Sequence, residues 1–312
     1  MSFRQQPSTA RAALGRKVKR RAPDGFVIVA VLWILGALAT LASIYAVYII
    51  DTATAFKTRD VRVQAEGLIR AALELTAHQI TAQAAAQSGA ERPKDGAFSF
   101  RMGAASASVQ FRSEAARIDL NFAPKELLAG LFIGFGARPD DALGYAERII
   151  AWRTKPQPGQ DPEASFYRAA GRQYVPRGAP FPHPGELWLV HGLPEALIER
   201  AMPFVTVYSG RAQVNVLDAA PEIIAALPGM TPDRLHAFLR QRTATPHNGQ
   251  ILLSLLGPAQ AHASLEATKT VRVTVQISFD NGRQTSADVA IFVGDTDAEP
   301  YRVLSWRDSL DE

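Results

Sequence analysis

The residues able to do chemistry are few and scattered. Cysteine is absent, which removes thiol nucleophiles, disulfides and cysteine metal sites. The six histidines, at 78, 183, 191, 236, 247 and 262, occur in unrelated contexts, and no two have the helical spacing of a metal pair. Ser209-Gly210 is not part of a Gly-x-Ser-x-Gly elbow. No glycine-rich phosphate loop occurs either. The stretch 151–165, AWRTKPQPGQDPEAS, offers two acids, Asp161 and Glu163. Nothing in this pattern recommends an enzyme.

What must position these residues is an anchored chain. Residues 26–50, FVIVAVLWILGALATLASIYAVYII, are twenty-five consecutive positions without a charge. At about 1.5 Å per residue such a helix crosses a hydrocarbon core of roughly 30 Å. Seven basic residues precede it (Arg4, Arg11, Arg16, Lys17, Lys19, Arg20, Arg21) against one acid, Asp24. That excess holds the N-terminus in the cytoplasm and places everything after Ile50 on the far side. A cleavable secretory signal has a shorter apolar core and a small-residue cleavage site, and neither is present.

The junction Gly25-Phe26 is more specific than the span. A basic leader ending in Gly, followed by Phe at the start of the apolar run, resembles the type IV prepilin class of signal. That resemblance implies a membrane peptidase cutting before Phe26, with the helix kept on the mature chain. An uncleaved signal anchor is the other reading. Most pilins carry a Glu four residues after the new N-terminus, and Ala30 stands there in this chain. A Glu buried in the membrane costs several kcal/mol unless paired. In pilins it is thought to pair with the neighbouring subunit's N-terminal amine, so its loss suggests a subunit with nothing above it.

Charge divides the chain at the same point. The whole is +4, but beyond Gly25 there are 27 basic and 29 acidic residues. The basic pI is a leader effect and gives no argument for nucleic-acid binding by the exported part. About 260 residues past the membrane suffice for one large or two modest domains, and without disulfides these rely on their cores.

The helical pattern continues past Ile50. Val61, Ala65, Leu68, Ala72 and Leu75 form a narrow apolar stripe, which predicts one helix over 26–88. Val61, Leu68 and Leu75 are the expected partner interface. Strand alternation follows: Phe98, Phe100 and Met102, then Val109 and Phe111. It returns at Val271, Val273, Val275, Ile277 and Phe279. After Asp280-Asn281-Gly282 it resumes with Val289, Ile291 and Val293, a hairpin signal, and Tyr301–Trp306 adds a last strand. The reading is an α+β domain over 96–116 and 263–312, interrupted by a helical insertion over 117–262.

The insertion contains a repeat at an offset of 96. RIDLNFAPKELLAGL (117–131) matches QVNVLDAAPEIIAAL (213–227), each a short strand, a polar cap and a helix. A second echo pairs LVHGLPE (189–195) with LPGMTP (227–232): a helix end, a Gly for a tight turn, then Pro194 or Pro232 before the next helix. These read as hairpins of the helix-hairpin-helix or SAM-like kind. In DNA repair and uptake proteins the amides of such a turn hold a phosphate. Here no Lys lies between 156 and 268, and Leu187–Arg200 carries two acids against one base. Packing is therefore favoured over DNA, and no nucleic-acid partner is expected.

Taken in order, these pieces resemble the type II secretion system protein K family, the large minor pseudopilin. The resemblance rests on Gly25-Phe26, VLWIL (31–35), RIDLN (117–121), IIAWR (149–153), FYRAAG (166–171) and Pro180-Phe181. It continues through ELWLVHG (186–192), FVTVY (204–208), VNV (214–216), ALPG (226–229) and YRVLSW (301–306). It implies an inner-membrane, single-pass protein with its C-terminal domain in the periplasm and a pilin-like antiparallel sheet carrying an all-α insertion. It also implies cleavage at Gly25 by the prepilin peptidase and N-methylation of Phe26. Minor pseudopilins I and J are the implied partners, alongside other pseudopilins, at the tip of a pseudopilus supporting protein export. Family members ligate calcium with aspartates around the Trp-Arg loop. Here only Asp161 and Glu163 remain, Thr154-Lys155 stand where acids are expected, and Pro156, Pro158 and Pro162 suggest a stiffened loop instead. Calcium is expected to bind weakly or not at all, and no other cofactor is expected. A membrane-anchored, helix-hairpin-helix DNA-uptake protein is the alternative reading.

Overall fold

Strands with alternating apolar residues present one oily face, and a helix with an apolar stripe is the simplest cover for it. The computed structural model describes residues 24–86, 95–157, 159, 162–244, 248–296 and 299–308. Most of the leader and Asp161 lie outside the described residues. The chain divides into two compact units, Met1–Val61 and Arg62–Glu312. Helix α1 (Asp24–Ala86) begins in the first. Its window Phe26–Ile49 is long and apolar enough to cross a membrane, and none of it is buried by the rest of the chain. One such helix fits a membrane anchor.

The second unit is built on a five-stranded antiparallel sheet of β1 (Asp95–Met102), β2 (Ala105–Ser113), β7 (Thr270–Phe279), β8 (Gln284–Thr296) and β9 (Glu299–Asp308), in the order β1-β2-β7-β8-β9. The register sets Val109 beside Val275 and Ala287, and Phe111 beside Val273 and Val289. All six are buried. The Asp280–Gly282 turn works as the sequence predicts. Gly282 takes φ +83°, the Asn281 side chain accepts the Arg283 N–H, and the Phe279 N–H bonds the Arg283 carbonyl to close a three-residue loop.

The part of α1 beyond Arg62 covers the sheet's apolar face. Tyr301, which shares that face with its register partner Val293, lies beside Glu74 and Arg70 of α1. The buried helix residues are Ala65, Leu68, Ile69, Ala72, Leu73, Thr76, Ala77 and Ile80. This spacing corrects the narrow stripe. Val61, Leu68 and Leu75 keep a strict seven-residue period, whereas a straight helix drifts by about 20° per heptad from such a repeat. Leu68 is consequently 2% exposed inside its own domain, while Leu75 is 43% exposed. Of the expected partner interface, only Leu75 is a well-exposed surface residue.

Between β2 and β7 the chain leaves the sheet and returns to the adjacent position. The excursion has its own hydrophobic core, running from Ile118 to Ala263 and using no residue of the five-stranded sheet. It is not purely helical. Two parallel pairs of two-residue strands sit inside it: β3 (Ile118–Asp119) with β4 (Val205–Thr206), and β5 (Val214–Asn215) with β6 (Ala263–Ser264). Between them run α2 (Lys125–Gly134), α3 (Pro139–Arg153), α4 (Pro162–Ala169), α5 (Glu195–Ala201), α6 (Pro221–Ala225), α7 (Pro232–Ala244) and α8 (Gly249–Leu255).

Burial separates the two α1 leucines energetically. Leu68→Ala should lower unfolding stability by about 2–5 kcal/mol, as in other cores. Leu75→Ala should stay within about 0.5 kcal/mol. Urea unfolding of the detergent-solubilised chain, followed by the fluorescence of buried Trp152, measures both, and equal effects would contradict the packing described.

Candidate functional site

Gly25 and Phe26 open α1, and Phe26 is 72% exposed. Among the described residues none buries the run that begins at Phe26, and that run carries no charge, Ala30 included.

The repeat holds in three dimensions and extends further than the sequence match. Asp119 Oδ1 accepts the Asn121 N–H, as Asn215 Oδ1 accepts the Leu217 N–H. The Ala123 N–H bonds the Asp119 carbonyl, and the Ala219 N–H bonds that of Asn215. Leu120 donates to Thr206 of β4, and Val216 to Ser264 of β6. Each repeat is then pinned by an arginine from its long helix. Arg153 donates to the carbonyls of Leu120 and Ala123, and Arg242 to those of Val216 and Ala219. The two arginines lie 89 residues apart rather than 96, so a fixed-offset comparison does not align them.

The hairpin turns need one correction. Gly192 and Gly229 have φ of +85° and +81°, as tight turns after helix ends require. In the repeat, however, the counterpart of the turn Gly229-Met-Thr-Pro232 is Gly136-Ala-Arg-Pro139, between α2 and α3, where Gly136 has φ +94°. The shared signal is Gly-x-x-Pro, which the Gly192 turn lacks.

The Gly192 and Gly229 turns face their own chain. The Arg148 guanidinium lies on Gly192, within 2.2 Å of where a Cβ would stand, and donates to the His191 carbonyl. The His191 N–H is taken by the Tyr167 hydroxyl at 2.8 Å. Gly229 packs on Pro258, and its carbonyl accepts from Arg234. Turns covered in this way are packing devices, and a phosphate would have to displace side chains to reach their amides.

The Trp-Arg loop is organised by side chains. Arg153 serves the first repeat, and the Gly178 N–H bonds the Trp152 carbonyl. Glu186 receives Trp152 Nε1 and a two-pronged approach from Arg177, which holds its carboxyl below the usual range. Glu163 sits in the first turn of α4. Among the described residues no group of three His, Cys, Asp or Glu could hold a metal ion.

Ser209, His183 and His191 are occupied locally. Buried Ser209 donates to Asp119 Oδ2, which also accepts the Gly210 N–H; burial pushes the Asp119 carboxyl upward against these bonds. His183 caps the 3-10 turn Pro184–Leu189 by accepting the Gly185 N–H on Nδ1. His191 lies against the rings of Phe166 and Tyr167, and His247 lies outside the described residues.

Burial lowers the pKa of both His183 and His191, assisted by Arg307 and Arg272 at the first and by Arg172 and Arg148 at the second. A lowered folded-state pKa means the unfolded chain takes up protons first, so stability is lost as pH falls through the unfolded value of 6.5. The unfolding midpoint should therefore fall between pH 7.5 and 5.5, and His183→Gln should flatten that slope. A thermal melt series at constant ionic strength reads it, and an unchanged slope in the variant would show that His183 does not contribute.

Comparison with known proteins gives a family match over part of the chain and a fold. Residues 108–210 match the family model of type II secretion system (T2SS), protein K. The chain is also similar to a chain in the crystal structure of the GspK-GspI-GspJ complex from the enterotoxigenic Escherichia coli type 2 secretion system. The TM-score is 0.63 and the identity 16%, over 81% of this chain and 98% of that one. No curated protein matches the sequence. The family model covers residues 108–210 of this chain, and the structural likeness shows a shared fold.

Proposed function

We propose that this chain is a minor pseudopilin that caps the pseudopilus tip of a type II secretion system and supports export of folded proteins. The observation that carries the reading is one helix, Asp24–Ala86, that opens with a bare membrane-length run and ends as the cover of an antiparallel sheet, on a chain matching protein K over 108–210. In this reading the prepilin peptidase cuts between Gly25 and Phe26, and Phe26 becomes the N-methylated first residue. The helix stays in the inner membrane, and the domain lies in the periplasm.

The partners in this reading are minor pseudopilins I and J, since the similar solved chain is one member of a GspK-GspI-GspJ complex. Ala30 suits the first subunit of a fibre, because the acid that would neutralise a preceding subunit's amine is missing. The insertion, with its SAM-like repeats, is too bulky to recur along a narrow fibre. The protein acts by assembly and not as an enzyme, which suits the structural work done by Ser209, His183 and Glu186.

Mass spectrometry of the membrane-extracted protein tests the processing step. A mature chain beginning at Phe26 is expected, and Gly25→Leu should leave the leader attached because the scissile backbone must lie close to the peptidase. An intact Met1 start in the wild type, or normal processing of the variant, would overturn the assignment.

A further inference from the structure

Where β2 ends and the first repeat begins, an open cleft of about 480 Å³ is lined by Asp95, Gln110, Arg112, Arg117, Arg272 and Thr274, among others. It lies on the sheet face opposite α1. Arg112 and Arg272 are direct register partners across β2 and β7, an arrangement of like charges that destabilises a sheet unless answered. Arg272 is answered. Its Nε meets Glu114 Oε1 at 2.6 Å and its Nη1 meets Asp288.

The other two arginines are not answered among the described residues. Neither guanidinium donates a hydrogen bond to any described residue, and neither has a carboxylate within ion-pair distance among them. Asp95 stands opposite Arg112 across β1 and β2 without pairing with it. Arg117 is mostly buried, and a guanidinium brings five donors into the wall of the cleft. Burial lowers its pKa, with Glu114 pulling the other way and Arg272 and Arg112 adding to the fall. No Arg117 nitrogen is among the fully buried unpartnered atoms, so its donors face the open cleft, where a ligand with charged oxygens meets them in charge-assisted hydrogen bonds.

We propose that this cleft binds an oxyanion, a carboxylate or a phosphate group, held between Arg117 and Arg112. Both guanidinium forks suit the two-oxygen edge that these groups share. One competitor is internal. Glu114 Oε2 is buried without a hydrogen-bond partner, and if Arg117 turned onto it the deficit would close within the chain.

Thermal unfolding of the full chain in detergent distinguishes these outcomes. Malonate and inorganic phosphate are titrated separately, each against chloride at equal ionic strength to remove screening. A midpoint rise that saturates with malonate identifies a carboxylate site, and one that saturates with phosphate alone identifies a phosphate site. Either response should weaken in Arg112→Gln and vanish in Arg117→Gln. Arg112 is exposed, so its variant carries the test if Arg117→Gln fails to fold. No response beyond chloride, as the Arg117–Glu114 alternative requires, overturns the proposal. So does a response unchanged in Arg112→Gln.

Discussion

The five-stranded sheet has one apolar face, and α1 is what covers it. Val109, Val273, Val275, Val289 and Ile291 are fully or almost fully buried, which a helix lying across them provides and water would not allow. At roughly 25 cal/mol per Å² of apolar surface, a bare sheet of this composition would be unstable as well as prone to association. The same helix begins with a run that has no polar face at all. Its sequence is therefore constrained twice, by lipid up to Ile49 and by the sheet from Ala65 onward.

The insertion solves a separate problem. It grows from one sheet position and returns to the next, so it needs a core of its own and a firm attachment. The core is repeated: two short parallel strand pairs, each followed by a helix and each locked by an arginine that answers two carbonyls. The attachment is ionic. Arg272 of β7 joins Glu114, just before the insertion, to Asp288 of β8. Breaking such a buried arrangement by removing one member is strongly destabilising, since the remaining charges stay in place unanswered.

Much of this was legible in the sequence because it rests on local rules. The apolar run, the alternating strands, the Asn-Gly turn and the repeat at 96 each follow from periodicity or turn chemistry. The partner stripe went astray at Leu68 because a heptad reading follows a supercoil, whereas the helix here is read by a sheet at 3.6 residues per turn. The true counterpart of the Gly229 turn was hidden by the uneven lengths of the two repeats. Strands of two residues, such as β4 and β6, carry no periodic signal of their own. The pins at Arg153 and Arg242 and the crowding of Arg112, Arg117 and Arg272 depend on contacts between distant segments, which composition does not disclose.

The central claim is that this chain is an assembly subunit, and its sharpest test is the composition of what it forms. Native mass spectrometry of the processed protein, co-expressed with minor pseudopilins I and J and extracted in detergent, measures this directly. The account expects a discrete complex with one copy of each chain and no larger species repeating this one. A chain that stays alone in the presence of both partners, or that polymerises with itself, would contradict it.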